Sequence, residues 1–410
     1  MKILISAVGD TDPIRNFHDG PLLHIVRVYR PEKIVLVHSE RSLTKHDKLV
    51  KALKSIKDYS PEIIQDGGVL PDEQVAIFDK MYDTVSSIVK KYISDDEIIL
   101  NISSATPQII SAMFAVNRIS DFNVTAVQVA TPQRKSNEGL RHDNQEDIDT
   151  LIETNLDNQS DYENRTLEDT GSKFSQDLTK RNLKALIDNY DYQGALELLK
   201  KQKSFSNIKE LRKKLTEISD TIKIQGMPDK IVKAKLSTKA QSALNSYLNI
   251  DRNHKQGNIA EVLIRVKSLV EFILENYLNN HFLDVITYKE DGKPFLNASK
   301  YPEILKKFQE DAKMRGQEYH SGYLSLPAYI GILKFFEPNH DLLKHIYKIQ
   351  EINQVRNQVA HSLQAFDRKN LKKVSSAVFA SKQILLASFD IDNHWFSFYE
   401  DLNQEIKKLL

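Results

Sequence analysis

The sequence predicts an open α/β sheet of Rossmann-like type followed by an all-α domain. Three observations carry this prediction. Short apolar runs alternate with amphipathic stretches through about the first 130 residues. An acidic, weakly apolar segment then interrupts the pattern. Beyond it, apolar residues recur at helical spacing almost to the end of the chain.

The first run, "KILISAV" (residues 2–8), is uniformly apolar enough for a strand buried on both faces, and "KIVLVHS" (33–39), "EIILNIS" (97–103) and "NVTAVQVA" (123–130) read alike. Helical patterns lie between them: "PLLHIVRVYR" from Pro21, a lysine-rich stretch over residues 41–57, "DEQVAIFDKMYDTVSSIVKKYI" from Asp72, and "PQIISAMFAVNRI" from Pro107. Strand–helix alternation implies parallel βαβ units, and such sheets bind ligands beyond the carboxyl ends of their strands.

Two loops fall at that edge. "GDTDPIRNFHDGPLLH" (9–24) leaves the first strand with two glycines and reaches a helix at Pro21, a favoured first helical position. "NISSATPQ" (101–108) leaves a later strand through small and hydroxyl residues and meets a helix at Pro107. Small residues let a ligand near the backbone, and free N–H groups with the helix dipole favour an anion. Either loop alone is explained by a serine or threonine capping a helix. Two on one edge favour a phosphate-bearing ligand. Neither the Gly-x-Gly-x-x-Gly fingerprint nor a Walker lysine motif is present, which disfavours a dinucleotide-dependent oxidoreductase.

Residues 137–170 hold eleven Asp/Glu against two Arg and read as a solvated, elaborated loop or hairpin. Residues 180–240 invert the balance, with fifteen Lys/Arg against seven Asp/Glu. "RNLKALIDNYDYQGALELLKK" and "NIKELRKKLTEISDTI" are helical there. A surface attractive to RNA and a merely solvated lysine-rich face both fit, since aromatics for base stacking are sparse. The domain division expected is 1–175 for the sheet domain with its acidic segment, 176–240 for a basic helical connector, and 241–410 for the helical domain.

Bulk composition narrows the function classes. A chain of 410 residues exceeds one compact core. A net charge of +1 leaves nucleic-acid binding to local patches. The absence of cysteine removes disulfides, thiolate nucleophiles and cysteine-ligated zinc. "MKILISAVGD" is too short for a signal-peptide core, and no run of about 18 apolar residues follows, so a cytoplasmic protein without a membrane partner is expected.

The last third reads as helices: "NIAEVLIRVKSLVEFILENYLNNHF", "PEILKKFQEDAKMR", "HDLLKHIYKIQEINQVRNQVAHSLQAF" and "LKKVSSAVFASKQILLASF". On a wheel, Ile352, Val355, Val359 and Leu363 share an apolar arc. Arg356, Ala360, Asn357 and His361 form the polar-and-small face beside it, with Asn357 and His361 one turn apart. That face suits RNA transesterification. Histidine moves protons near neutral pH, and arginine stabilises charge on a phosphorane-like transition state. A complete site would come more naturally from two such helices across a two-fold axis. On spacing alone, a solvated helix face is the favoured reading of Arg-x4-His.

Together these residues resemble a known family. "SAVGDTDPIRNFHDGPLLHIVRVYRPEKIVLVHSE", "LNISSATPQIISAMFAV" and "RNQVAH", in this order, are similar to the CARF–HEPN ancillary ribonucleases of type III-A CRISPR systems, the Csm family. The resemblance covers essentially the whole chain. It implies a CARF (CRISPR-associated Rossmann fold) domain followed by a HEPN helical nuclease domain. It implies a homodimer in which a cyclic oligoadenylate bound by paired CARF domains activates paired HEPN domains. These cleave single-stranded RNA without a metal, in antiviral defence, and form no stable complex with the CRISPR effector. Carried over by motif, Arg356 and His361 are catalytic and Asn357 supports them. The implied ligand residues are Gly9, Asp10, Asp12, Arg15, Asn16, Gly20, Pro21, Leu22 and His24 in the first loop. In the second they are Asn101, Ser103, Ser104, Ala105, Thr106, Pro107 and Gln108, with Thr106 expected against the adenylate ring. The activator expected first is cyclic hexa-adenylate, and second cyclic tetra-adenylate. No metal or other cofactor is expected. Slow cleavage of the activator in the CARF domain is a further implication. Two other readings stay open: a constitutive HEPN ribonuclease toxin, and a non-enzymatic nucleotide-sensing regulator.

Overall fold

The structure is a computed structural model that describes residues 1–93, 97–119, 124–132, 146–200, 207–361 and 365–410. The chain divides into two compact units, Met1–Asp177 and Leu178–Leu410.

In the first unit, β1 (Lys2–Ala7) leads into a two-residue hairpin, β2 (Ile14–Arg15) and β3 (His18–Asp19), and then α1 (Pro21–Tyr29). Next come β4 (Lys33–Ser39), α2 (Glu40–Leu43), α3 (His46–Lys54), β5 (Glu62–Leu70), α4 (Phe78–Tyr92), β6 (Glu97–Asn101) and α5 (Pro107–Ile119). β7 (Val124–Val129), α6 (Ile148–Glu153) and β8 (Thr166–Asp169) complete it before α7 (Ser172–Asp188). The sheet order is β5-β4-β1-β6-β7-β8. All pairings are parallel except β7 with β8.

Alternation along β1 explains the two cores. Ile3, Ile5 and Ala7 pack with α4 and α5 residues such as Val85 and Met113, while Leu4 packs with Leu22, Leu23 and Leu49 on the other face. Helices therefore cover both faces, as a strand of unbroken apolar residues requires. The chain order reverses between β1 and its neighbour β6. That reversal is the switch point at which such sheets leave a crevice.

Several elements differ from the sequence reading. β5 is absent from it, because "EIIQDGGVL" is polar; it is an edge strand with mostly exposed or half-buried residues. β8 lies inside the acidic segment, whose residues 137–145 fall outside the described residues. The helix expected from Asp72 starts at Phe78. The stretch after residue 180 is two helices, α7 and α8 (Tyr192–Lys200), separated where Tyr190 takes a left-handed φ of 58°.

The second unit continues with α9 (Ile208–Lys223), α10 (Asp229–Val232), α11 (Thr238–Lys255) and α12 (Ile259–His281). A small hairpin, β9 (Ile286–Tyr288) with β10 (Pro294–Leu296), precedes α13 (Pro302–Met314), α14 (Leu326–Phe336), α15 (Leu342–Gln350) and α16 (Asn353–His361). α17 (Leu371–Ser388) and α18 (Phe398–Lys407) end it. One hydrophobic core runs from Leu183 to Ile406, so the basic helices pack into the same core as the later ones. The sequence pattern reads α15 and α16 as one helix; the backbone tightens between them, where Ile352 N–H donates to Ile349 at 3.3 Å, an i→i+3 bond. Among the described residues no helix is long and apolar enough to cross a membrane.

Candidate functional site

The strands β1 and β6 run side by side from Lys2 opposite Glu97 to Ile5 opposite Leu100. Their following loops therefore meet at the switch point. Asp12 ties them together. Its carboxylate accepts from Gly9 N–H at 3.0 Å, from Leu22 N–H at 3.0 Å, and from the Ser104 hydroxyl at 2.5 Å. Asp12 is 1% exposed, and burial pushes its carboxyl up despite the Ser104, Gly9 and Leu22 donors and nearby Lys45.

Two glycines make the approach possible. A Cβ on Gly9 would sit 2.2 Å from the Ser104 oxygen, and one on Gly20 would sit 2.5 Å from the Thr11 carbonyl. The α1 amide at Leu22 is thus capped by the protein's own carboxylate. The sequence reading leaves the first-turn amides there open for an anion.

The second loop is similarly engaged. Asn101 is buried, and its amide donates to the Ser6 hydroxyl at 2.9 Å while its carbonyl oxygen accepts from Ser103 N–H at 2.9 Å. The Ser103 hydroxyl accepts from Val129 N–H at 2.6 Å. The Thr106 hydroxyl donates to the Val75 carbonyl at 3.0 Å and approaches Ile109 N–H at 3.4 Å, at the start of α5. Ala105, Thr106 and Gln108 remain half-buried and Pro107 is exposed, so this rim is what the loop offers to solvent.

Arg15 and Asn16 sit in the hairpin that closes the first loop. The Nε of Arg15 is buried with no hydrogen-bond partner. Asn16 and Phe17 both take left-handed φ values, 48° and 64°. Two consecutive positive φ angles are what a tight hairpin turn demands, and for an aromatic residue they are strained.

His24 lies elsewhere. It is fully enclosed, and its Nε2 accepts from Arg165 N–H at 3.0 Å, which only a ring unprotonated at that nitrogen can do. Nδ1 faces Asp19 and Asp157 at 3.6 and 3.7 Å. Among the described residues these three side chains form the one group placed to hold a metal ion. Their charge is already met: Arg27 donates to Asp19 at 2.6 Å and Arg165 to Asp157 at 2.8 Å. Burial works to raise both carboxyls. Bonds from His24 and Arg27 outweigh it at Asp19, and bonds from His24, Asp19 N–H and His18 outweigh it at Asp157, so both fall below the usual range. His24 therefore braces the loop from behind.

Two cations at this edge escape the sequence reading. Lys45 donates to the Asp10 carbonyl at 3.0 Å and the Gly9 carbonyl at 3.3 Å, and Arg41 reaches Asp10 at 3.4 Å. Burial pulls the Lys45 ammonium down, against the attraction of Asp10 and Asp12. The available signal was topological: β4 neighbours β1, so the residues after β4 reach the same edge.

In the second unit, Ile352 and Val355 are buried and Val359 packs against the same core, as the wheel predicts. Leu363, expected on that arc, lies outside the described residues. Arg356 is half-buried and Asn357 exposed; Arg356 Nη1 donates to Asn357 at 3.2 Å, and Arg356 Nε is buried without a partner. His361 ends the helix, and its side chain lies outside the described residues.

A doubly wound sheet followed on one chain by a helical unit bearing Arg-x4-His has the architecture of the CARF–HEPN proteins. The chain matches the family models of the Cas_Csm6 CARF domain over residues 62–166, the Csm6 6H domain over 171–218 and the Cas_Csm6 HEPN domain over 231–407. It is 40% identical over 406 residues to CRISPR system endoribonuclease Csm6′ of Streptococcus thermophilus, covering 98% of each chain. It is 41% identical to Csm6 of the same organism, over the whole of both. A solved structure, Enterococcus italicus Csm6 bound to cyclic hexa-2′-fluoro-hexa-dAMP, superposes with a TM-score of 0.73 at 33% identity and covers 100% of both chains. The chain belongs to the Csm6 family of CRISPR system endoribonucleases.

Proposed function

We propose that this protein is a homodimeric, cyclic-oligoadenylate-activated ribonuclease that cleaves single-stranded RNA without a metal. The observation that carries this reading is the E. italicus Csm6 structure, alike over the full chain, with a cyclic hexa-dAMP analogue bound. Cyclic hexa-adenylate is the activator expected first and cyclic tetra-adenylate second. The ring would meet the rim formed by Ala105, Thr106, Pro107 and Gln108 and the residues around Gly9, Asp10, Arg15 and Asn16, while Asp12, Gly20, Pro21, Leu22, Asn101, Ser103, Ser104 and His24 hold those loops in shape. The buried, unpartnered Nε of Arg15 supports an anionic ligand there.

At α16 the 2′-oxygen attacks the adjacent phosphorus and the P–O5′ bond breaks. The products are a 2′,3′-cyclic phosphate and a 5′-hydroxyl. His361 moves a proton, Arg356 stabilises the charge gathered on the phosphoryl oxygens, and Asn357 holds Arg356 in place. The unpartnered Nε of Arg356 supports a group that waits for an anion. The same displacement within the activator, slowly, would serve as a timer. Residues 1–175 sense, 176–240 connect and 241–410 cut. The protein acts in the cytoplasm and forms no stable complex with the CRISPR effector.

The deciding experiment is cleavage of labelled single-stranded RNA in EDTA, with each cyclic oligoadenylate in turn, beside His361→Ala. Stimulation by one ring, lost in the variant, is expected. Ring-independent cleavage would mean a constitutive toxin, and no cleavage at all a non-enzymatic sensor.

A further inference from the structure

The helix α11 carries an unusual buried stripe. Asn245, Asn249, Arg252 and Asn253 are each at least nine-tenths buried. Buried asparagines can satisfy themselves on the backbone, and these do in part: Asn249 donates to the Asn245 carbonyl at 3.0 Å and Asn253 to the Asn249 carbonyl at 2.8 Å. A buried guanidinium needs more. Arg252 Nη2 donates to Asn249 at a long 3.3 Å, and its Nε has no partner. Among the described residues no carboxylate pairs with it.

The groups around Arg252 leave its charge unmet. Tyr399 lies under the guanidinium at 5.7 Å, and burial pushes the Tyr399 and Tyr192 hydroxyls up, so both stay neutral at physiological pH. The neighbouring Arg265 repels it. Removing an arginine from water without a counter-charge is costly, and natural structures seldom leave such a group unpaired.

Arg252 lines a cavity of about 220 Å³ between the end of α9, α11 and the start of α12. Lys223 and Arg265 line it too, with Gln225, Asn249, Asn253 and one acid, Glu261. That acid is already engaged, since Arg265 Nε donates to it at 2.8 Å. Lys223 pairs with Asp220 at 3.6 Å at the cavity's exposed edge, so of the three lining cations Arg252 alone has no carboxylate among the described residues. The volume lies below the roughly 300–1,000 Å³ of sites for drug-sized ligands and suits a small oxyanion. Guanidinium forks match phosphate oxygens in pairs.

We propose that this cavity binds a single phosphate group, with Arg252 as its buried counter-charge and Lys223 and Arg265 at its rim. The phosphate comes free in solution or as the terminal group of a mononucleotide.

Trp395 is the chain's single tryptophan and belongs to the second unit, so its fluorescence follows the unfolding of that unit alone. Full-length protein would be melted in chloride, inorganic phosphate and AMP at matched ionic strength. Phosphate at ten times its dissociation constant should raise the midpoint by about 3–6 °C over chloride. Arg252→Met and Arg265→Gln should each abolish that rise. Arg252→Met should be at least as stable as the parent in chloride, because the unpaired charge is gone. If Arg252→Met does not fold, Arg265→Gln and Lys223→Gln carry the test. A larger rise with AMP assigns the site to a nucleotide phosphate, and equal rises assign it to free phosphate. Chloride matching phosphate, or a phosphate effect that survives Arg265→Gln and Lys223→Gln, overturns the proposal. A surviving effect would mean phosphate binding elsewhere on the second unit. None of these readings requires RNA cleavage, so failure of the ribonuclease reading would leave this test intact.

Discussion

The sheet edge and the α16 helix both present polar groups suited to phosphate chemistry, yet they are built in opposite ways. At the sheet edge most polar side chains are already committed, the buried Nε of Arg15 being the exception. Asp12 gathers Gly9, Leu22 and Ser104, Asn101 holds Ser6, and Thr106 holds Val75. On α16, among the described residues, the Arg356 side chain has one hydrogen bond, to Asn357, and its Nε has no partner. If the sheet edge recognises the ring and α16 reacts, as proposed, the contrast teaches that recognition can be built by committing hydrogen bonds to loop shape, whereas a reacting face keeps donors for charge that appears in the transition state.

The sharpest test of that contrast is Arg356→Ala. Cleavage should fall by about 10²–10³-fold, the loss expected when one donor to a developing oxyanion is removed. Ring binding and the unfolding midpoint should hardly change, because few contacts go with the side chain. Near-parental cleavage would move the reacting face away from α16.

Next in size is Asp12→Asn. The amide oxygen still accepts from Leu22 N–H, but the NH2 faces both Gly9 N–H and the Ser104 hydroxyl, which share one carboxylate oxygen in the parent. Leaving those buried donors unsatisfied should cost about 2–4 kcal/mol, read as a lower urea midpoint for the first unit. If the sheet edge is a scaffold, ring affinity should fall with it, while ring-independent properties of the second unit stay put. An unchanged midpoint would mean that the loops are held by packing alone.

Acid unfolding probes the same scaffold from behind. Asp19 and Asp157 have folded-state values below the ordinary 3.8, so each binds fewer protons folded than unfolded. Their stabilisation is present above about pH 4 and is lost as pH falls toward their folded values. Asp12 runs the other way, because its folded value is raised and its contribution declines as pH rises above 3.8. The first unit should therefore lose stability below about pH 4, and Asp157→Asn should flatten that loss in a urea titration across about pH 2–6. A profile unchanged by the substitution would remove Asp157 from the scaffold.

How much of this was legible follows from what a sequence encodes. The strands β1, β4, β6 and β7 announce themselves because a doubly covered strand must be continuously apolar. β5 and β8 did not, since edge strands are half solvated and carry Glu, Gln and Asp. The two loops were found from their small residues and prolines. Their internal wiring was not, because the bond between Ser104 and Asp12 joins residues 92 apart. Lys45 was invisible for the same reason: only the strand order brings the residues after β4 beside β1. On α16 the wheel placed Ile352, Val355 and Val359 correctly, since a surface helix needs only its own period to choose a face. The resemblance implies His24 as a ligand residue, whereas the structure buries it among Asp19, Asp157 and Arg165.

Smaller effects separate the rim from the scaffold. Thr106→Ala with Ala105→Leu should raise the ring concentration needed for half-activation by roughly tenfold, equivalent to about 1.4 kcal/mol. Cleavage at saturating ring should be unchanged. Unaltered activation would place the ring elsewhere on the sheet edge.

Lys45→Gln gives the smallest and most discriminating shift. The lysine's ammonium rests on the carbonyls of Gly9 and Asp10, so it is both a clamp and a local positive charge. A glutamine amide in its place can keep one such bond but not the charge. If the charge attracts the ring phosphates, half-activation should need about three- to fivefold more ring at low salt, roughly 0.6–1 kcal/mol. The difference should shrink as salt shortens the screening length. If the lysine only clamps, the shift will be salt-independent and accompanied by a lower midpoint for the first unit. The salt dependence thus decides whether the proposed ring site at this edge draws on the Lys45 charge or uses Lys45 for loop shape alone.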